Sequence, residues 1–250
     1  MTKTVFITGA TAGFGKATAE LFAESGYNLI ITGRRKERLT ALSDKLSKKY
    51  NIEVTPLCFD VRNNDEVVSA INSLTNKNID ILVNNAGLAS GLNKIQDGLL
   101  DDWDKMIDTN VKGLLYVSKA IMPLMIKNKS GHIINIGSTA GKEVYMNGNV
   151  YCATKHAVNA LSKAMRIELL EHGIKVSQVC PGAAETEFSE VRLHGDKEKA
   201  KRVYDGYEPM TAEDIASIIY YVGNLPKNLC VNDLVVTSLS QANSFYINRK

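Results

Sequence analysis

Short apolar runs rich in Val and Ile alternate along this chain with longer amphipathic stretches, from the first residues almost to the last. Runs at residues 4–8, 28–32, 53–58, 79–83, 132–136, 174–179 and 233–237 predict seven strands. Several lack polar alternation, as expected of strands covered on both faces. Between them, residues 14–25, 35–50, 64–76, 102–128, 151–172 and 211–224 carry helical spacing. This rhythm is the βαβ pattern of an α/β protein, and it predicts a doubly wound parallel seven-stranded sheet with helices on both faces. Pro123, inside the fourth helical stretch, predicts a kink or an early stop. Residues 183–210 are the least patterned, and such a segment usually lies over a ligand as a lid. No linker, low-complexity tract or internal repeat divides the chain, so residues 1–250 are read as a single domain.

Composition narrows the function classes. A chain of 250 residues buries a sizeable core. A formal charge of +3, evenly spread, is too mild for a nucleic-acid face or a polybasic membrane anchor, which leaves a small-molecule partner. Cys58, Cys152, Cys180 and Cys230 lie far apart with no C-x-x-C pair, and His132, His156, His172 and His194 show no metal-ligand spacing. Free thiols and no metal site are therefore expected. The chain opens directly on an apolar strand and holds no run long enough for a signal peptide or a membrane span, so a soluble cytoplasmic protein is expected.

The strongest local signal is V-F-I-T-G-A-T-A-G-F-G at residues 5–15, which sets Gly9, Gly13 and Gly15 between a predicted strand and a predicted helix. Glycine there lets the backbone approach a pyrophosphate held by the unpaired N–H groups at the helix start, as in a Rossmann fold. A tight strand-to-helix turn is the plainer alternative. The second strand ends I-I-T-G-R-R, placing Arg34 and Arg35 where such a fold meets the adenosine ribose. A carboxylate at that point favours NAD, whereas a guanidinium fork suits the ribose phosphate of NADP. Further on, N-V-Y-C-A-T-K puts Tyr151 four residues before Lys155 on one helix face, a spacing that also arises by chance.

Taken in order, these motifs resemble those of the short-chain dehydrogenase/reductase family over essentially the whole chain. Thr8 to Gly15, with Thr11, Ala12 and Phe14 between the glycines, match its T-G-x-x-x-G-x-G cofactor turn. Asp60 and Val61 match the pair near the adenine, and Asn85, Ala86 and Gly87 belong to the N-N-A-G that follows the fourth strand. Asn110, Ser138, Tyr151 and Lys155 match the catalytic tetrad, and Pro181, Gly182 and Thr186 resemble the segment at the nicotinamide end. The resemblance implies hydride transfer with NADP. Tyr151 would act as general acid or base, Ser138 would bond the substrate oxygen, and Asn110 would help to hold a water-linked proton path to Lys155. The lysine ammonium and the charged nicotinamide are expected to lower the tyrosine pKa from about 10.

Finer likeness points to the substrate. I-T-G-R-R-K-E-R-L, H-I-I-N-I-G-S-T-A-G, G-N-V-Y-C-A-T-K and T-E-F-S-E-V-R-L-H-G-D are similar to segments of the NADP-dependent 3-hydroxy acid dehydrogenases, which act on serine, allo-threonine or malonic semialdehyde. Such a substrate carries a carboxylate that needs a cation out of water, and Arg192 is the candidate, with a solvent-facing arginine as the alternative. P-G-A-A-E-T, with Ala183, Ala184 and Glu185, departs from that group's pattern. A reductase of neutral carbonyls or pteridines and a non-catalytic NADP-binding regulator stay open as other readings. A sugar epimerase is disfavoured by the glycine spacing and the length. The resemblance also implies a homotetramer built through the helices that begin near residues 102 and 151. The polar tail, residues 238–250, is assigned no role beyond subunit contact.

Overall fold

The computed structural model describes residues 2–250. Strands β1 (Thr4–Ile7), β2 (Asn28–Gly33), β3 (Val54–Cys58), β4 (Ile81–Asn84), β5 (Gly131–Ile136), β6 (Ile174–Pro181) and β7 (Asp233–Val236) form one sheet in the order β3-β2-β1-β4-β5-β6-β7. Every neighbouring pair is parallel. The helices are α1 (Gly13–Glu24), α2 (Lys36–Tyr50), α3 (Asn64–Asn72), α4 (Leu100–Ile107), α5 (Leu114–Asn128), α6 (Asn149–Glu168), α7 (Glu187–Arg192), α8 (Lys197–Arg202) and α9 (Ala212–Gly223).

Strand periodicity explains the two-sided core. Val5 and Ile7 point one way, with Leu29, Ile31, Ile81 and Val83, onto Phe22 of α1, Leu39 and Leu46 of α2 and Ile215 and Ile219 of α9. Phe6, Ile30, Leu82 and Ile133 point the other way, onto Val67 of α3, Ile121 and Met125 of α5 and Val158 and Met165 of α6. Each such side chain contributes about 1.5–3 kcal/mol on leaving water, so continuous apolar strands are stable only with helices on both faces. A polar seam runs through the second layer. Asn84 donates to Ser118 and to Asn135, both at 2.9 Å, and Asn135 donates to Ser162 at 3.0 Å. Because an unpaired buried amide is costly, the seam fixes how α5 and α6 sit on β4 and β5.

Three local expectations are corrected. The stretch 102–128 is not one helix: a π-helical turn at Asp108–Gly113 separates α4 from α5. Gly113 permits it, since a side chain there would meet Val61 at 2.8 Å. Pro123 does not end α5, which runs on to Asn128. Pro123 and Lys119, whose carbonyl loses its helical donor, both lie on the solvent side, where water replaces that bond. Residues 183–210 are not featureless either, because they hold α7, capped by Thr186 accepting from the N–H of Phe188, and α8, capped by Asp196 accepting from that of Lys199. Each is six residues long, too short for periodicity to show.

His132 on β5 is buried and bonds Ser177 at 2.8 Å, while its Nδ1 has no partner. Burial, with the Lys175 ammonium adding to it, pushes the imidazole down to about 3. In the unfolded chain it titrates near about 6.5. Between those values the unfolded state binds a proton that the folded state refuses. Stability from this residue is therefore complete above pH about 6.5 and falls on acidification by up to about 1.4 kcal/mol per pH unit. Denaturant midpoints measured from about pH 7 to about pH 5 should show that slope in the wild type and a flatter one in His132→Gln.

Candidate active site

The sheet order reverses between β1 and β4: the chain winds outward through β2 and β3, then returns to place β4 on the other side of β1. A crevice opens there at the carboxyl ends of the strands, as this winding requires. The Thr8 hydroxyl, at the end of β1, accepts the N–H groups of Asn85 and Ala86 at 3.0 and 2.9 Å, and Asn85 donates back to the Thr8 carbonyl at 2.8 Å. Gly9 and Gly13 adopt positive φ, +69° and +50°, at which a side chain is strained. Gly15 faces inward: a Cβ there would lie 2.4 Å from the Gly9 carbonyl oxygen and 2.5 Å from the Asn85 amide. It sets the contact between α1 and the sheet and does not border the cavity.

A cavity of about 560 Å³ extends from this turn. Gly9, Thr11, Ala12, Gly13, Phe14, Arg34, Arg35, Asp60, Val61, Asn85, Ala86, Gly87, Pro181, Gly182 and Thr186 border it. The start of α1 carries no side-chain cap and no acidic residue in its first turn, so its N–H groups are available to an anion. At the adenosine end, Arg34 is more than half exposed and lies 3.7 Å from Asp60, which is bound more closely by Arg62 at 2.7 Å. Arg35 donates through Nε and Nη2 to the Thr11 hydroxyl at 3.2 and 3.0 Å. A glycine-lined groove, an uncapped helix start and adjacent guanidinium groups together fit a dinucleotide bearing an extra phosphate.

Ser138, Tyr151 and Lys155 meet at the middle of the cavity. Ser138 ends the β5 segment and caps a short helical turn through the Ala140 N–H at 3.1 Å. Tyr151 and Lys155 stand one turn apart near the start of α6. The Lys155 ammonium donates to the Ile136 carbonyl at 2.9 Å, and burial lowers its pKa to about 8. Tyr151 is governed by its burial. Burial, with Tyr145 adding to it, pushes the phenol well above its usual range, and the Ser138 hydroxyl and the Arg192 guanidinium offset only part of that. Lys155, 5.9 Å from the ring centre, is not what governs the tyrosine here. Asn110, in the π-helical turn, accepts from the Leu88 N–H and donates to the Leu88 carbonyl, both at 2.8 Å, and donates to Thr154 at 3.0 Å. It therefore stands behind the cavity wall and ties the loop after β4 to α6. A Cβ on Gly87 would lie 3.2 Å from the Asn110 oxygen and 3.7 Å from the Lys155 nitrogen, which places both beside the same loop.

Ala183, Thr186, Phe188, Arg192, Tyr204 and Tyr207, all within residues 183–210, border the same cavity. Arg192 lies against two rings, 5.5 Å from the centres of Tyr145 and of Tyr151, and donates to the Tyr145 hydroxyl at 2.9 Å. No carboxylate pairs with it among the described residues. Phe188 sets its ring edge on Tyr151 at 5.6 Å. Tyr145, Phe188 and Glu187, which pairs with Arg35 and Arg38, carry no signal in the sequence, because each acts through a neighbour distant in the chain. The tail has partners within the chain. Gln241 accepts from the Ala183 N–H at 2.8 Å, and Arg249 bonds the carbonyls of Val203 and Asp205, so the tail fastens residues 183–210 of its own chain. Cys152 is buried in the packing around Tyr151. No helix is long and apolar enough to cross a membrane among the described residues.

Residues 3–196 match the family described as short chain dehydrogenase. The chain is 44% identical over 241 residues to NADP-dependent 3-hydroxy acid dehydrogenase YdfG of Salmonella typhi, covering 95% of this chain and 96% of that protein. It is 43% identical over 253 residues to sulfoacetaldehyde reductase 2 of Chromohalobacter salexigens, covering 100% of both. The closed form of a serine dehydrogenase complexed with NADP+ is similar in structure, with a TM-score of 0.92 and 41% identity over 99% of this chain and 100% of that one. The chain belongs to the short-chain dehydrogenase family and is an oxidoreductase of that type.

Gly15→Ala tests the close approach at the first turn. The added methyl has backbone on its far side, so relief requires α1 to shift, at a cost of about 1–3 kcal/mol. A lower urea midpoint together with weaker dinucleotide binding is the expected result.

Proposed function

We propose that the protein transfers a hydride between NADP(H) and the carbon bearing the 3-hydroxyl or 3-oxo group of a small hydroxy acid of the serine, allo-threonine or malonic semialdehyde kind. The observation that carries this reading is Arg192, a cation without a carboxylate partner among the described residues, held against the ring of Tyr151 in the same cavity as Ser138 and Lys155. An arginine so placed receives a substrate carboxylate while the substrate oxygen lies at the tyrosine and serine hydroxyls. The relatives named for 3-hydroxy acids and for sulfoacetaldehyde act on small compounds with an anionic group, which agrees with such a receptor.

Cofactor contacts are assigned to the glycine turn, with the pyrophosphate at the start of α1, the ribose phosphate at Arg34 and Arg35, the adenine beside Asp60 and Val61, and the nicotinamide end near Asn85 to Gly87, Pro181, Gly182 and Thr186. When bound, NADP supplies the hydride donor or acceptor. The chain's own residues do the rest. Tyr151, protonated while burial governs it, gives its proton to the substrate oxygen in reduction and becomes a phenolate, and in oxidation the phenolate takes the proton from the alcohol. The Ser138 hydroxyl donates a hydrogen bond to that oxygen as charge develops. Lys155, close to neutrality in its proton affinity, anchors the carbonyl end of β5 and relays protons toward the loop held by Asn110. Residues 183–210 serve as the lid that excludes water, with Phe188 sealing the edge of Tyr151. A homotetramer is supported by exposed apolar side chains at Leu99, Leu100 and Ile107 around α4 and at Ile167 and Leu170 around the end of α6, a pattern suited to burial between copies.

Nicotinamide absorbance measured with NADP and serine, allo-threonine or 3-hydroxypropionate tests the assignment against NADPH with neutral ketones. Turnover confined to neutral ketones would discard the hydroxy acid. Tyr151→Phe should lose about 10²–10⁴-fold in kcat with either class. Arg192→Ala should raise KM for the acids by about 10- to 100-fold, the value of a charge-assisted contact, and change neutral carbonyls far less. An equal effect on both classes removes Arg192 as the carboxylate receptor.

A further inference from the structure

Arg35, at the ribose-phosphate end, and Arg38, in the first turn of α2, are both tied to α7 by one carboxylate. Glu187, the first residue of α7, places Oε2 2.8 Å from Nη1 of Arg35 and Oε1 2.7 Å from Nη1 of Arg38. Arg35 in turn grips the hydroxyl of Thr11 in the glycine turn with Nε and Nη2. The residue before Glu187 also reaches across the groove, because a Cβ on Gly13 would lie 3.5 Å from the Thr186 side chain. A continuous chain of contacts thus runs from the glycine turn through Arg35 to the lid and on to Arg38 in α2, along the rim of the cavity.

We propose that Glu187 is a positioning residue that latches the lid to Arg35 and Arg38 and thereby sets how long the cofactor stays bound. The inference rests on the NADP reading above. Leaving the groove requires the lid to swing away from the glycine turn, and that motion must break both pairs of Glu187. The geometry also links phosphate recognition to closure. Arg35 spends three of its nitrogens on Thr11 and Glu187 but keeps N–H groups in reserve, since a guanidinium has five, so it orients the lid while Arg34, more than half exposed, is free to meet the phosphate. A competing arrangement, in which Glu187 fills an anion seat that the phosphate must take over, makes the opposite prediction. Removing the carboxylate would then tighten binding.

Each pair is partly exposed and weak alone, so their joint loss should change release by about three- to tenfold. The test is stopped-flow dissociation of NADPH, chased with excess NADP+ and followed by nicotinamide fluorescence, in the wild type, Glu187→Gln, Arg38→Gln and the double variant. Glu187→Gln should release NADPH faster by that factor, Arg38→Gln by less because the Arg35 pair remains, and the double variant should be no faster than Glu187→Gln, which already lacks both pairs. NADH release should quicken in the same proportion, since the latch acts on the lid and not on the phosphate. Amide hydrogen exchange over residues 186–193 of the cofactor-free protein should rise in Glu187→Gln. Unchanged or slower release in Glu187→Gln, additive effects in the double variant, or an effect confined to NADPH would each overturn the latch. Failure of the wild type to bind NADPH would instead overturn the cofactor reading.

Discussion

The site depends on how closely two pieces of backbone approach at the middle of the sheet. The turn after β1 and the loop after β4 are joined by the Thr8 hydroxyl, which serves two N–H groups at once, and by the Asn85 amide, which bonds the Thr8 carbonyl. There is room for that amide because residue 15 has no Cβ. The parallel order puts these segments side by side, and the missing methyl lets α1 begin at the sheet's edge with its N–H groups facing the crevice. Residues 183–210 are placed relative to that junction as well, with Thr186 beside Gly13.

Electrostatics divide the cavity into two regimes. At the adenosine end the arginines are half exposed, and their pairs with Asp60 and Glu187 are exchangeable contacts screened by water. At the reacting end Lys155 and Tyr151 are buried, and burial governs both, lowering the lysine and raising the tyrosine. Each shift favours the uncharged form, which for Tyr151 is the phenol that carries a proton and for Lys155 is the amine that can accept one. Arg192, at the end of α7, brings a cation over the ring of the buried phenol.

The layered fold was legible because it rests on a local signal repeated seven times. Parallel strands must be apolar on both faces, and the helices between them must be apolar on one. Errors fell where local pattern and tertiary context part. The π-helical turn at Asp108–Gly113 has ordinary helical composition and arises where Gly113 packs against Val61. Pro123 is tolerated because its carbonyl partner faces water. The six-residue helices α7 and α8 show themselves through the caps Thr186 and Asp196, not through periodicity.

The sequence by itself determined the sheet, its connections, the glycine turn and the identity of the residues gathered at the crevice, since each is written in spacing over a dozen residues or fewer. Tertiary structure decided what those residues meet. Asn110 proved to be a brace behind the wall, with both of its polar atoms engaged by Leu88 and Thr154. Tyr151 took its proton affinity from burial, and the tail folded onto residues 183–210 of its own chain. Glu187 found its partners about 150 positions away in α2 and the turn before it, a pairing with no local pattern to announce it. Desolvation and long-range pairing depend on which segments pack together, and the packing exists only once the chain has folded.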